Sequence, residues 1–286
     1  MLFRVADIET VPDRRFWSGG EKRWRLLPAD RRASGEESYT VSGDVRLCDE
    51  PQFAPPQAQR VVAVAWCDVE MDPASQPKAY RFVSCESRSD WAAASDTEAG
   101  AACAERGLVR RFRDAMVERP ATLVTWNGRC FDLPVLAARA LHLGVPWGWY
   151  YDDRDVRYRY SSSGHLDLMD FLSDYGACRT MKLDDAARLV GLPGKDVPGE
   201  EHFDGSMVEG VVARGDVAKN KTLVARYCLQ DVLQTALVFL RTRYHLEIVT
   251  AEGHAVGVAS FCGSPQVTEA LPIDWSRLLL DAEVAG

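Results

Sequence analysis

Basic residues are in the minority in this chain. Lys and Arg number 34 against 42 Asp and Glu, a formal charge of −8. That deficit argues against a protein that coats nucleic acid through bulk electrostatics. It leaves room for an enzyme that grips a few nucleotides, because acidic metal ligands contribute to the balance and bound cations offset them locally. No run of about 18 or more apolar residues stands out, so a membrane span is not expected. The N-terminus has no basic region ahead of an apolar one and meets Asp7 and Glu9 instead, unlike a secretory signal. None of the eight cysteines forms a C-x-x-C pair, which disfavours a zinc site or a disulfide framework and fits a reducing, cytoplasmic setting. The five histidines form no close pair and read as structural or exposed. Internal repeats and low-complexity segments are absent. Lysine is scarce beside arginine and alanine is abundant, a composition bias that removes arginine richness as evidence for nucleic-acid binding.

What remains is an ordinary globular composition. The chain has 286 residues, 47% hydrophobic and 27% charged, enough to bury a sizeable core. Leu2 to Ile8 reads as a short strand ending at Asp7 and Glu9. Residues 13–59 read as an irregular insertion with one short helix near Lys22 to Leu27. Arg60 to Val69 reads as a buried strand with Ala79 to Ser84 as its partner. Asp96 to Val117 has helical spacing, with Leu108, Val109, Phe112 and Met116 on one stripe. Ala121 to Trp126 is a further strand closed by the Asn127-Gly128 turn, and Phe131 to Leu143 is helical with Pro134 tolerated in its first turn. Trp147 to Tyr160 has no assignable period. Leu166 to Tyr175 and Leu183 to Val190 look helical, Gly191 to Gly199 is a Gly/Pro loop, and Asp216 to Tyr244 is one long helix. Strands, then alternating strand and helix, then helices predict one α/β domain with a mixed sheet over residues 1–245, and residues 246–286 as an appendage packed on it.

Three acidic segments carry the chemistry. Asp7-Ile8-Glu9-Thr10 ends the first strand, where residues two apart share a face and place two oxygen donors side by side. Such a pair suits a hard divalent cation, and it also suits a plain solvated strand end. Asn127 to Asp132 is a strand–turn–helix junction. There Asp132 either supplies a third carboxylate or only complements the helix dipole, and Asn127 either contacts substrate or only makes a turn. Tyr227 and Asp231, four apart in a helix, lie on one face. Arg154-Asp155-Val156-Arg157-Tyr158-Arg159-Tyr160 interleaves cations with rings, as a strand-gripping surface or as an amphipathic strand. Asp167 and Asp170 are further acids. Asp167 is a candidate neighbour of the site, although their spacing equally suits a solvated helix face.

As an ordered set, the three segments resemble the exonuclease motifs of the DEDD superfamily of 3′–5′ exonucleases. That pattern runs Asp-x-Glu, Asn-x-x-x-Phe-Asp and Tyr-x-x-x-Asp. The histidine subclass has His five residues before its last Asp, where this chain has Arg226; the tyrosine subclass has Tyr four before it, here Tyr227. Asp7 to Pro12, Asn127 to Leu136, His165 to Asp170 and Tyr227 to Asp231 are most similar to stand-alone proteins related to the exonuclease domain of family-B DNA polymerases. The resemblance covers most of residues 1–245 and leaves no space for a polymerase domain, so any proofreading would act in trans.

The resemblance implies a ribonuclease H-like mixed β-sheet flanked by helices and a two-metal phosphodiesterase using Mg²⁺ or Mn²⁺. Asp7 would bridge the two ions, Glu9 and Asp231 would complete one site, Asp132 would hold the second, and Tyr227 would orient water. Thr10 through its backbone, with Asn127 and Phe131, would meet the terminal nucleotide. The implied substrate is the 3′ end of single-stranded DNA, favoured over RNA and released as nucleoside 5′-monophosphates, with a replication or repair partner that the sequence does not name. A 3′–5′ exoribonuclease and a non-catalytic accessory subunit are the alternatives. The second is disfavoured because an idle site has no reason to hold four mutually repelling acids.

Overall fold

The computed structural model describes residues 1–17, 23–28, 40–41, 45–50, 54–92, 98–161, 163–199, 201–214 and 217–280. In chain order the strands and α-helices are β1 (Leu2–Pro12), β2 (Arg23–Pro28), β3 (Thr40–Val41), β4 (Val45–Glu50), β5 (Gln59–Met71), β6 (Tyr80–Ser89), α1 (Glu98–Glu118), β7 (Thr122–Thr125), α2 (Asp132–Leu143), α3 (Gly148–Asp152), α4 (Arg154–Arg157), β8 (His165–Asp167), α5 (Leu168–Leu172), α6 (Leu183–Leu189), α7 (Val208–Val212), α8 (Val217–His245), α9 (Ala251–Cys262) and α10 (Pro265–Ala270).

The main sheet has five strands in the order β6-β5-β1-β7-β8. β1 pairs antiparallel with β5 and parallel with β7, and β7 pairs parallel with β8. This is the mixed, helix-flanked α/β sheet expected of a ribonuclease H-like fold. β1 is therefore a central strand, buried on both faces, and its alternation sorts its side chains. Phe3, Val5 and Val11 join a core built largely on α8, while Ala6 and Ile8 join a second core with α1 and α2. By the same alternation Asp7 and Glu9 face α8. β1 pairs with β7 only from Phe3 to Val5, so Asp7 and Glu9 project beyond the carboxyl end of β7, where open α/β sheets place ligands.

α8 is apolar on most of its surface, with Val232, Leu233, Ala236 and Phe239 fully enclosed. Each large side chain buried there contributes about 1.5–3 kcal/mol. By length and composition it is long and apolar enough to cross a membrane, yet most of that stretch is buried inside the fold. Phe3, Tyr80 and Phe239 form a ring cluster with centroids 5.2 Å apart. Arg139, wholly buried, pairs with Glu105 at 2.6 Å and Asp13 at 3.1 Å. The pairing ties α2 to α1 and to the chain just past β1.

Two expectations are corrected. Residues 23–28 form a strand, not a short helix, and pair antiparallel with β4 in a three-stranded sheet ordered β2-β4-β3. The partner lies about twenty residues downstream, so no local period marks it, and the insertion is not irregular throughout. Lys22 and much of the rest of the insertion lie outside the described residues. His165–Asp167 forms the edge strand β8 before the chain turns into α5, where helix alone was expected. Pairing with β7 overrides local propensity there. Residues 154–157, in the stretch without an assignable period, form one helical turn, which sets aside the amphipathic-strand alternative.

Candidate functional site

Three separate segments deliver carboxylates to one place. β1 supplies Asp7 and Glu9. Asp132 comes from the first turn of α2 and accepts the Ile8 backbone N–H at 3.1 Å through Oδ1. Asp231 comes from α8, one turn beyond Tyr227. The acids interact mutually: Asp132, Glu9 and Asp231 all act electrostatically on Asp7. Glu9 and Asp132 are buried at 8% and 4% exposure, whereas Asp7 and Asp231 are half-buried at the mouth.

Withdrawal from water and crowding of like charge both work against ionisation here. Burial, then Asp132, Glu9 and Asp231, push Asp7 well above the usual carboxylate range. Burial, then Asp231 and Asp132, do the same to Glu9, with Lys195 opposing. Burial lifts Asp132 to about 7, with neighbouring Asp167 adding to the rise and backbone N–H donors opposing it. Burial lifts Asp231 to about 6, against the pull of Lys195 and of the Tyr227 hydroxyl that donates to it. Burial first, then Asp231, Glu9 and Asp7, drive the Tyr227 phenol far above its ordinary value.

The Tyr227 ring is clamped. Phe203 meets it edge-on at 4.9 Å, and the Lys195 ammonium lies 5.8 Å from its centroid. These residues, with Gly194, Gln230 and Asp231, line a narrow cleft.

Two neighbours of the site went unnoticed in the sequence. Lys195 lies in the Gly/Pro loop, and nothing in its local pattern marks it. The loop is brought back by the Asp184 carboxylate, which accepts the Lys195 backbone N–H at 2.8 Å. Gly194 permits this with φ +65°, and a Cβ there would fall 2.0 Å from Asp184 Oδ1. Cys228 is the other. Its Sγ donates to the Asp7 carbonyl at 3.6 Å and approaches Asp7 Oδ2 at 3.8 Å. Asp7, Glu9 and Cys228 present ligand atoms within 4.8 Å of one another. Adjacency to Tyr227 was the one available signal, and the helix turns Cys228 towards β1.

The remaining candidates divide. Asn127 sits at the turn with φ +63°, a conformation that Asn tolerates better than most residues. Its side-chain amide has no protein partner among the described residues. Phe131 caps α2 beside Asp132 and packs partly against the α1–α2 core. Thr10 follows an irregularity in the β1–β5 register, and its hydroxyl donates to Gln59 Oε1 at 3.0 Å. Asp167 is buried at 4% and is not on a solvated helix face. Its oxygens accept the backbone N–H groups of Asn127 and Arg129, both at 2.9 Å, so it shapes the turn that carries Asp132. Asp170 is held in a two-pronged pair by Arg159. His165 is buried and bonded to Thr125 at 2.8 Å. Burial first, then nearby Arg129, hold its pKa down at about 3, so it stays neutral.

Comparison with known proteins adds independent information. Two solved structures of exonuclease I are similar in part. One is the E. coli enzyme in complex with a dT13 oligonucleotide, at 12% identity and a TM-score of 0.37 over 86% of this chain and 42% of that one. The other is a product-bound exonuclease I at 13% identity and a TM-score of 0.32, over 87% and 48%. The chain thus spans less than half the length of either. No curated protein matches the chain. Residues 51–261 match a family described as predicted 3′–5′ exonucleases related to the exonuclease domain of PolB. Asp132, Tyr227 and Asp231 fall inside the matched span, and Asp7 and Glu9 precede it. With nearly three-quarters of its length in that match, the chain belongs to this family of 3′–5′ exonucleases.

Proposed function

We propose that the protein is a tyrosine-subclass DEDD exonuclease. It hydrolyses single-stranded DNA from the 3′ end with two divalent ions, Mg²⁺ or Mn²⁺, and releases nucleoside 5′-monophosphates. The observation that carries this reading is the convergence of Asp7, Glu9, Asp132 and Asp231 from three distant segments into one water-poor cluster.

The donor set fits such ions. Two charges at 4 Å and an effective dielectric of 20 repel by about 4 kcal/mol, and the single charge of Lys195 cannot offset four carboxylates. Hard, oxygen-preferring cations can. Asp7, Glu9 and Asp231 would hold one ion, with Asp7 and Asp132 holding the other. When bound, the pair lowers the pKa of the attacking water and neutralises charge on the phosphate and departing oxygen.

The chain's own groups position the reactants. Tyr227, clamped by Phe203 and donating to Asp231, orients the water as a neutral hydroxyl, since a phenol's ordinary pKa of about 10 keeps it protonated near neutral pH. Lys195 at the cleft supplies a positive charge towards the phosphate. The Asn127 amide, the Phe131 ring and the Thr10 backbone meet the terminal nucleotide. Tyr227→Phe is expected to lower kcat by about tenfold to a hundredfold with a smaller change in KM, since only orientation is lost. Steady-state kinetics on a labelled oligonucleotide measure the split, and an unchanged kcat removes Tyr227 from the mechanism.

Purified protein with 5′-labelled single-stranded DNA or RNA, in Mg²⁺, Mn²⁺ or chelator, tests the whole reading. A metal-dependent ladder shortening from the 3′ end of DNA supports it. The same ladder on RNA alone reassigns the substrate. Binding without shortening in every metal condition favours an accessory subunit.

A further inference from the structure

Near the carboxylates, the segment around α4 leaves a group of rings in solvent. Tyr151, Tyr158 and Tyr160 are 55%, 48% and 55% exposed. A single exposed ring needs no explanation, but several in mutual contact on one run are not accounted for by core packing. Tyr158 and Tyr160 meet with centroids 5.7 Å apart, and Tyr160 meets Tyr175 at 4.7 Å. The contacts are edge-on, at 71° and 64° between planes. Tyr175 reaches this position through a left-handed backbone, φ 53° after Asp174 at φ 50°. Such conformations are costly and persist only where the surroundings hold them.

Cations lie over two of these rings. The Arg154 guanidinium lies 5.9 Å from the Tyr158 centroid and that of Arg157 lies 5.5 Å from Tyr151. Neither is in an ion pair among the described residues, in contrast to Arg159. The nearby acids are occupied locally: Asp153 caps α4 through the Asp155 N–H, and Asp155 accepts the Ser163 hydroxyl. One residue joins this surface to the carboxylates. Arg129, three positions before Asp132, donates through Nη1 to the Arg157 carbonyl at 3.0 Å, while its backbone N–H is held by Asp167.

We infer that Tyr158, Tyr160 and Tyr175, flanked by Arg154 and Arg157, form a stacking platform that holds bases of a single-stranded nucleic acid upstream of its 3′ nucleotide. The inference rests on the exonuclease reading of the carboxylate cluster. Every base has a π-face, so stacking on rings is sequence-tolerant, and unpaired guanidinium groups supply phosphate contacts. Only an unpaired strand exposes those base faces, which selects against duplex.

The test is fluorescence anisotropy in chelator, so that cutting does not intervene. The probes are labelled oligodeoxythymidylate and oligouridylate of about four and about twelve nucleotides, lengths that bracket a short single-strand groove. Wild type is expected to bind the longer strands more tightly. The Tyr158→Ala/Tyr160→Ala pair should lose about tenfold or more on them, while Tyr158→Phe/Tyr160→Phe stays close to wild type. Loss on one polymer alone supports the platform and names its strand. Wild-type binding by the Ala pair, or equal loss in the Phe pair, overturns it. If either occurs while wild type still cuts DNA in metal, the platform falls and the exonuclease reading stands. If wild type neither binds nor cuts, both fall.

Discussion

Asp7→Asn is expected to lower kcat/KM by about 1,000-fold or more without loss of fold. Removing a central charged ligand forfeits several kcal/mol of transition-state stabilisation, and each 1.36 kcal/mol is tenfold in rate. The substitution is close to isosteric, and the amide can keep the Asp7 side chain's contacts with the Cys228 thiol at 3.8 Å and with the Asp132 carboxyl. In the absence of metal the variant should melt at or above the wild-type temperature, because one of four crowded like charges has gone. Asp132 is a poorer choice for separating activity from folding, since its carboxylate also straps the Ile8 backbone. Single-turnover kinetics together with thermal melts in chelator measure both halves. Full, chelator-sensitive activity in Asp7→Asn would remove that residue from the site and the mechanism with it.

The second large effect is on stability. In the metal-free protein Asp132 and Asp231 titrate at about 7 and about 6, and Asp7 and Glu9 are also raised. In the unfolded chain such groups titrate at about 4. Between those limits the folded state binds more protons than the unfolded one, so stability falls as pH rises. From about pH 4 to about pH 7 the loss should be on the order of a few kcal/mol, several degrees in melting temperature for a chain of this size. On the proposed reading, divalent cations would bind the ionised cluster. Their stabilising increment should therefore be small at acidic pH and largest above neutrality, about 2.7 kcal/mol at a hundredfold excess over Kd. Melts across this range in chelator and in Mn²⁺ test it. A metal-free protein that gains stability with rising pH through the window, or a metal increment that ignores pH, contradicts a cluster of this kind.

The parts of the site that were legible beforehand are those governed by local periodicity. Asp7 and Glu9 share a face because strands alternate, and Tyr227 and Asp231 share one because helices return after about four residues. The turn at Asn127-Gly128 announced the junction that presents Asp132. Where pairing is non-local, the local pattern misled. β8 has only three residues and passes straight into α5, so the helical period of the following turn masked it. β2 depends on β4, a partner beyond its own sequence window. Lys195 was invisible because a loop has no period, and its place depends on Asp184 and on the left-handed Gly194.

The order and spacing of the acidic motifs were enough to point to the family and to say which side chains carry oxygen donors on a common face. Their meeting point was decided elsewhere. It required β1 to lie centrally between β5 and β7, α8 to cross its open face, and the β7–α2 turn to fold over its end. Those arrangements come from burying apolar surface between segments more than a hundred residues apart, an energy that no short stretch of chain contains.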